Sequence, residues 1–405
     1  MENRQKLSVL FVDDEPAVLR MLPRLLADLQ EQWRMDVAES AEKGLEMMAR
    51  APFDVLVTDL KMPGMSGQDF LKVVKDLYPM CTRIVYSSYS DQQTVLGCVG
   101  LVHQFLPKPC PKEWLEAAIQ RTAIIRALVA DPAMQESISK MERVLSMPSL
   151  YLQLVRQLHS VETPIADIAA TVAQDVGMTA QVLRIVNSAS FGLTRPTASL
   201  VEAIGFLGID TVKYLVLAIG IFSQFETQRL GGLTVATLWQ HSVRAAQAAK
   251  LIAQCESAKR ELVEDALAAG LLHDLGKLVL ASSFPESYEE ACRNAVRRNV
   301  EWHVAEKRLL GVNHAEVGGY ILGLWGLPLS VVEAVAYHHF PNRSKQTEFS
   351  ALTAVHAANV LVLAEGGSSG GVPPPQVDRA YLTKIGRANA LESWKLELAA
   401  APARP

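Results

Sequence analysis

Two rhythms of apolar residues divide this chain. Over the first 128 positions, short apolar runs at Val9–Val12, Val55–Val57, Thr82–Ser87 and Gln104–Leu106, with a shorter one at Asp36–Ala38, alternate with segments of helical spacing. Those segments are Ala17–Leu29, Ala41–Ala51, Gln68–Leu77, Asp91–Val99 and Lys112–Val129. A short run of this kind, bounded by turn formers, fits a strand buried on both faces. Five such strands, each followed by a helix, predict an α/β doubly wound parallel five-stranded sheet with helices on both sides.

From Met134 to about Ala364 the strand rhythm is absent. Ala, Leu and Gln are abundant, and Pro148, Pro164, Gly177, Gly192, Pro196, Gly205, Gly208 and Gly220 punctuate helical stretches. This second part reads as all-α. Pro132 follows the last helix of the first part, so the joint is expected to be short, and the tract Glu365–Pro375, rich in Gly, Ser and Pro, reads as a flexible break. The domain organisation expected is 1–130, 131–364, and a flexible linker with a loosely attached tail over 365–405, with one or two helices within Val377–Leu398.

Composition narrows the class. The 405 residues are 49% hydrophobic and 20% charged, with a net charge of -4 and no long run of one sign. Bulk electrostatics therefore give no reason to expect nucleic acid or an anionic membrane as partner. The longest apolar run, Tyr214–Phe222, is too short to cross a bilayer, and the N-terminus lacks a secretory pattern. Cys81, Cys98, Cys110, Cys255 and Cys292 show no CxxC spacing, which suits a reduced compartment. A cytoplasmic protein is expected.

Candidate chemistry gathers at the strand ends of the first part. Asp13-Asp14 follows the first strand and Asp59 the third, at the edge where open α/β sheets carry their working groups. Asp59 opens Leu-Lys-Met-Pro-Gly-Met-Ser-Gly67; further on come Tyr86-Ser87-Ser88-Tyr89-Ser90-Asp91 and Phe105-Leu-Pro-Lys108-Pro109. In this order the segments resemble the receiver domain of two-component response regulators over nearly all of residues 7–128. The resemblance implies that Asp59 accepts a phosphoryl group from a sensor histidine kinase and that Asp13 and Asp14, with Asp59, hold Mg²⁺. It further implies that Ser87 and Lys108 contact the phosphoryl oxygens and that Phe105 is the switching aromatic. Each role has a physical reason, since a carboxylate attacking an anion needs a hard cation and fixed positive charge beside it. Ser88 departs from the small residue common beside the switch hydroxyl.

The second part is similar to the HDOD domain, a branch of the HD phosphohydrolase superfamily, over roughly 135–345. The resemblance is carried by Leu145–Leu150, Gln181–Ser188, Ala203–Gly208, Trp239–Ser242, Ala269–Lys277, Asn313–Gly318 and Ala336–His339. Six of the nine histidines are candidates for one site, among them His241, His273, His314, His338 and His339, with Asp274 beside His273. Asn313 reads as a helix N-cap with Glu316 three residues on. Imidazole and carboxylate are a normal transition-metal set, and in catalytic relatives such groups activate water, with a lysine placed as Lys277 holding phosphate. Asn359 stands where the superfamily's last metal-binding Asp is expected, which removes a charge. Three readings stay open: a hydrogen-bonded core inherited from a catalytic ancestor, metal without turnover, and a metal-dependent phosphohydrolase acting on a nucleotide or cyclic dinucleotide.

The expected function is therefore a response regulator whose phosphorylation at Asp59 switches an output domain working through protein contacts. Its partners would be a sensor histidine kinase, a downstream protein and a candidate second copy of the chain. Direct DNA binding is not expected, because Met178–Ser188 carries only Arg184 and no basic recognition face is evident.

Overall fold

The computed structural model describes residues 6–29, 31–88, 98, 100–128, 147–158, 163–187, 197–225, 228–366 and 371–400. The chain divides into two compact units, one built on Met1–Ser146 and the other on Met147–Tyr320 and Pro328–Pro405. The joint Ala130-Asp131-Pro132, the stretch 91–97, and parts of the quoted motifs (Tyr89, Ser90, Leu145, Ser188) lie outside the described residues.

In the first unit, strands β1 (Leu7–Val12), β2 (Trp33–Ala38), β3 (Val55–Thr58), β4 (Thr82–Ser87) and β5 (Gln104–Pro107) form one all-parallel sheet in the order β2-β1-β3-β4-β5. Every residue of β3 and β4 is buried. Two-sided burial explains why these strands read as continuous apolar runs rather than alternating ones. One face packs Leu10, Leu56, Phe70 and Val85 and the other Val9, Phe11, Val57 and Ile84. Edge strand β2 starts three residues before its expected position. Its burial is broken by exposed and half-buried positions, so its apolar signal is weak. Helix Gln68–Leu77 begins one residue earlier, at Gly67, where a Cβ would lie 2.2 Å from the Asp59 carbonyl oxygen. Only glycine lets this helix start directly on the Asp59 loop.

The second unit is helical. Helices Val235–Cys255, Arg260–Leu272 and Ala351–Gly366 pack on one another, and Leu329–Tyr337 packs on the last two. Ala245, Ala246, Ala249, Ala268, Ala269, Ala354 and Ala358 are buried, and such small side chains let helix axes approach closely. No single helix among the described residues is long and apolar enough to cross a membrane. The apolar pair Leu200–Leu207 and Ile209–Ser223 is bent by 112°, and the second of these is buried along most of its length.

The C-terminal stretch corrects the sequence expectation of a loose tail over 365–405. Tyr381 (0% exposed) and Trp394 (1%) are fully buried. Trp394 Nε1 donates to Glu256 Oε1 at 3.0 Å, Arg387 Nε donates to Glu256 Oε2 at 2.5 Å, and the Tyr381 hydroxyl meets Thr353 Oγ1 at 2.8 Å. Two helices stand there as expected, Arg379–Lys384 and Ala390–Ala400, but sparse anchors on short helices give no periodic signal, so the sequence suggested loose attachment.

Candidate functional site

The register of the sheet assembles the first site. Pairing of Val12 with Thr58 brings the ends of β1 and β3 side by side, and Asp59 N donates to Val12 O at 3.0 Å. Asp13 and Asp59 therefore leave the sheet as neighbours. Ser87 pairs with Pro107, and Lys108 N donates to Ser87 O at 2.9 Å, so hydroxyl and ammonium emerge together from β4 and β5. Lys108 Nζ donates to Asp13 Oδ2 and to Asp59 Oδ2, each at 2.5 Å. Ser87 Oγ donates to Asp59 Oδ1 at 2.6 Å, as does the Leu60 amide at 2.6 Å. Phe105 is half-buried against the apolar cluster on one sheet face.

Asp13, Asp14 and Asp59 each offer a carboxylate oxygen within 4.8 Å of the others. Hard oxygen donors at a partly solvated edge suit Mg²⁺, which takes few protein ligands and keeps several waters. Burial pushes the Asp13 carboxyl above its usual range, against the lowering pull of Lys108. Burial also depresses the Lys108 ammonium, but its bonds to Asp13 and Asp59 outweigh this and hold it above the usual lysine value. In this arrangement Lys108 supplies the positive charge that two neighbouring carboxylates require.

In the helical unit, His241 projects from Val235–Cys255 and Asn359 from Ala351–Gly366. His273 and Asp274 occupy the break between Arg260–Leu272 and Leu275–Ser283, with Lys277 on the latter. Asn313 and Glu316 form the expected reciprocal cap. Asn313 Oδ1 accepts from Glu316 N at 3.0 Å, and Glu316 Oε2 accepts from Asn313 N at 3.2 Å, so His314 starts its helix. A Cβ at Gly276 would lie 2.0 Å from the His314 carbonyl oxygen, so the glycine after the His-Asp pair lets the two elements touch.

All five expected histidines converge. His241 Nε2 lies 3.2 Å from His273 Nε2 and 3.0 Å from Asn359 Oδ1. His314 Nε2 lies 3.2 Å from Asp274 Oδ1, and His339 Nε2 lies 2.9 Å from His314 Nε2. Lys277 Nζ donates to Asp274 Oδ2 at 2.7 Å. His273 and His338 each direct Nδ1 to a backbone carbonyl, Gly270 and Val335, at 2.8 Å. That bond leaves Nε2 as a lone pair facing inward, which is how proteins orient ligating imidazoles. Buried His338 Nε2 has no hydrogen-bond partner among the described residues. The donor set therefore fits a transition metal.

Charge is distributed unevenly here. Burial pushes His241 down to about 3, helped by His273. Burial likewise holds His338 and His339 well below the usual histidine range. His314 is the exception: burial disfavours its charge, but Glu306 and Asp274 on its two nitrogens raise its pKa. Glu306 Oε2 lies 2.6 Å from His314 Nδ1. Burial would raise the Asp274 and Glu306 carboxyls, yet Lys277 and His273 for the first, and His314 for the second, bring them below their usual range.

The sequence reading did not name Glu301, His303, Glu306 or His356. His303 and Glu306 lie three apart on the buried face of Trp302–Leu310, the one local signal available. His356 accepts from the Asp378 amide at 2.9 Å, while its Nδ1 meets His338 O at 2.7 Å. A cleft of about 600 Å³, solvent included, is lined by His241, Asp274, Lys277, His314, His339 and Asn359 between walls formed by Trp302, Leu238, Leu363 and Pro373.

Comparison with known proteins agrees with both geometries. Residues 9–120 match the response regulator receiver domain and residues 144–341 match the HDOD domain. The chain therefore joins a response regulator receiver domain to an HDOD domain. An uncharacterized protein of Treponema pallidum is 26% identical over 247 residues, 60% of this chain and 46% of its own length. The hydrogenase transcriptional regulatory protein HoxA of Cupriavidus necator is 31% identical over 126 residues, 31% of this chain and 26% of its own. The chain thus spans less than half of each of these curated relatives. A crystal structure of an HDOD domain protein with unknown function from Geobacter sulfurreducens superposes with a TM-score of 0.52 at 25% identity, covering 63% of this chain and 87% of that one.

Proposed function

We propose that a sensor histidine kinase phosphorylates Asp59 and that the HDOD domain answers through protein contacts with a downstream partner. The observation carrying this reading is the convergence of Lys108 on Asp13 and Asp59, with Ser87 on the other Asp59 oxygen. Asp13 and Asp14 would hold Mg²⁺, which neutralises the phosphoryl donor as Asp59 attacks. A phosphoryl group on Asp59 would take over Ser87 and Lys108, releasing the bonds they make to the carboxylate. Ser87 and the ring of Phe105 would then shift. Mass spectrometry after acetyl phosphate treatment is expected to show one phosphoryl adduct that Asp59→Ala abolishes. Labelling unchanged by that substitution would refute the assignment.

Protein contact is preferred to turnover because several groups of the cluster are already paired within the protein, His314 with Glu306 and Asp274 with Lys277. His241 Nε2 can donate to His273 Nε2 or Asn359 Oδ1, and Asn359 brings no charge where a carboxylate would be needed. The second reading, a receiver-regulated metal phosphohydrolase, is favoured by the orphaned His338 Nε2 and the cleft. In that reading His241, His273, Asp274, His314 and His338 would hold the metal and Lys277 would meet substrate phosphate. A bound metal there would polarise phosphate and activate water. Hydrolysis of a cyclic dinucleotide or nucleotide lost in both His273→Ala and Asp274→Ala would establish it in place of the contact reading.

A further inference from the structure

Beside the histidines that the HD resemblance accounts for lies a group that it does not. His303, 5% exposed, has an Nδ1 with no hydrogen-bond partner among the described residues. That nitrogen sits 3.4 Å from Glu301 Oε2. A tetrahedral metal with bonds of about 2.1 Å holds its ligand atoms about 3.4 Å apart, so these two atoms already stand at that separation. His339 brings a third ligand atom within 4.8 Å of both; its ring lies stacked on that of His303, 3.9 Å between centroids, and would turn out of that stack to share an ion with it. All three residues border the cleft.

We propose that Glu301, His303 and His339 form a divalent transition-metal site, separate in its ligands from the His241, His273 and Asp274 group. The charge of the surroundings favours a cation over an anion. Asp274, Glu301 and Glu306 contribute three carboxylates around the cleft and His314, against the ammonium of Lys277. Two imidazoles and one carboxylate suit zinc, iron(II), cobalt(II) or manganese, and three protein ligands leave coordination positions open towards the cleft.

Full-length protein stripped with EDTA, reloaded with excess Zn²⁺ or Co²⁺ and desalted, tests this by elemental analysis, with the Co²⁺ ligand-field spectrum as the second readout. Glu301→Gln and His303→Gln are each expected to lower the bound metal by about one equivalent and to remove the corresponding Co²⁺ band. His273→Gln is expected to leave that equivalent in place. Glu301, 31% exposed at its side chain, tolerates an isosteric change, so its variant stays informative should His303→Gln fail to fold. The proposal is overturned if wild-type protein takes up no metal, if Glu301→Gln binds as much as wild type, or if His273→Gln removes all of it.

Discussion

At the scale of single residues, the two sites handle buried charge in different ways. The receiver site leaves one ammonium between carboxylates: Lys108 is 13% exposed at its side chain, Asp13 3% and Asp59 10%. Removing one partner from such an arrangement costs about 3 kcal/mol, because the charges left behind stay desolvated and repel. Lys108→Met is therefore expected to lower the opening free energy of β1 and β3 amides by about that much in metal-free buffer, with partial recovery on adding Mg²⁺; native-state hydrogen exchange reads both. A second buried carboxylate has no such counter-charge in contact. Asp265 is 8% exposed and accepts from the Ser330 hydroxyl; burial raises its pKa, an effect that the Ser330 bond and the more distant Lys213 offset only in part. With the folded value above the unfolded 3.8, the unfolded chain gives up its proton first as pH rises. The stability attached to this group is thus whole below 3.8 and lost as pH climbs through the raised folded value. Asp265→Asn should remove that loss and make the protein more stable at pH 7 than wild type, while below 3.8 the gain should shrink. Denaturant unfolding of both proteins across that range measures the difference.

At the scale of elements, legibility in the sequence followed the strength of periodic burial. Strands β1, β3 and β4 were plain because both faces are covered, whereas β2 lies at the edge and showed only its last three residues. Helix Arg260–Leu272 was recognisable from its apolar run, and the cap at Asn313 from its spacing to Glu316. The tail was misjudged because Tyr381 and Trp394 act singly, through fit into the body of the helical unit, and a lone aromatic in a polar stretch carries no pattern. That fit is worth testing: Trp394→Ala leaves a cavity where the indole was 1% exposed and orphans the acceptor on Glu256. A loss of about 3–5 kcal/mol is expected, with rapid proteolytic trimming of the last helix; unchanged melting would mean that the tail does not contribute. Gly276 tests the opposite strain. A methyl group 2.0 Å from the His314 carbonyl must push the two helices apart. Gly276→Ala is expected to cost about 3 kcal/mol and to broaden the His314 and His273 ring signals in NMR spectra.

At the scale of the whole molecule, the receiver site was readable because Asp13, Asp59 and Lys108 each follow directly on a strand and Ser87 ends one, and parallel register then leaves little choice about which groups meet. The helical site was only half readable. His241, His273, His314, His338 and His339 stood in motifs, but Glu301, His303, Glu306 and His356 join through packing of segments far apart in sequence, which no spacing rule reports. The same contrast separates what the two units do. The first holds Ser87 and Lys108 on the Asp59 carboxylate by short polar bonds. In the second, many polar groups are bound to backbone carbonyls or to one another, as in the His314 bonds to Glu306 and Asp274. On the proposed reading, charge arriving at Asp59 reorders the ends of β4 and β5. Mg²⁺ with beryllium fluoride, which mimics the phosphoryl group, should slow hydrogen exchange in β4 and β5 near Ser87 and Phe105. Exchange in the helices around His314 should change by less. Asp59→Asn should abolish the effect. Equal protection in the Asp59→Asn protein would mean that the anion binds elsewhere and that Asp59 is not the switch.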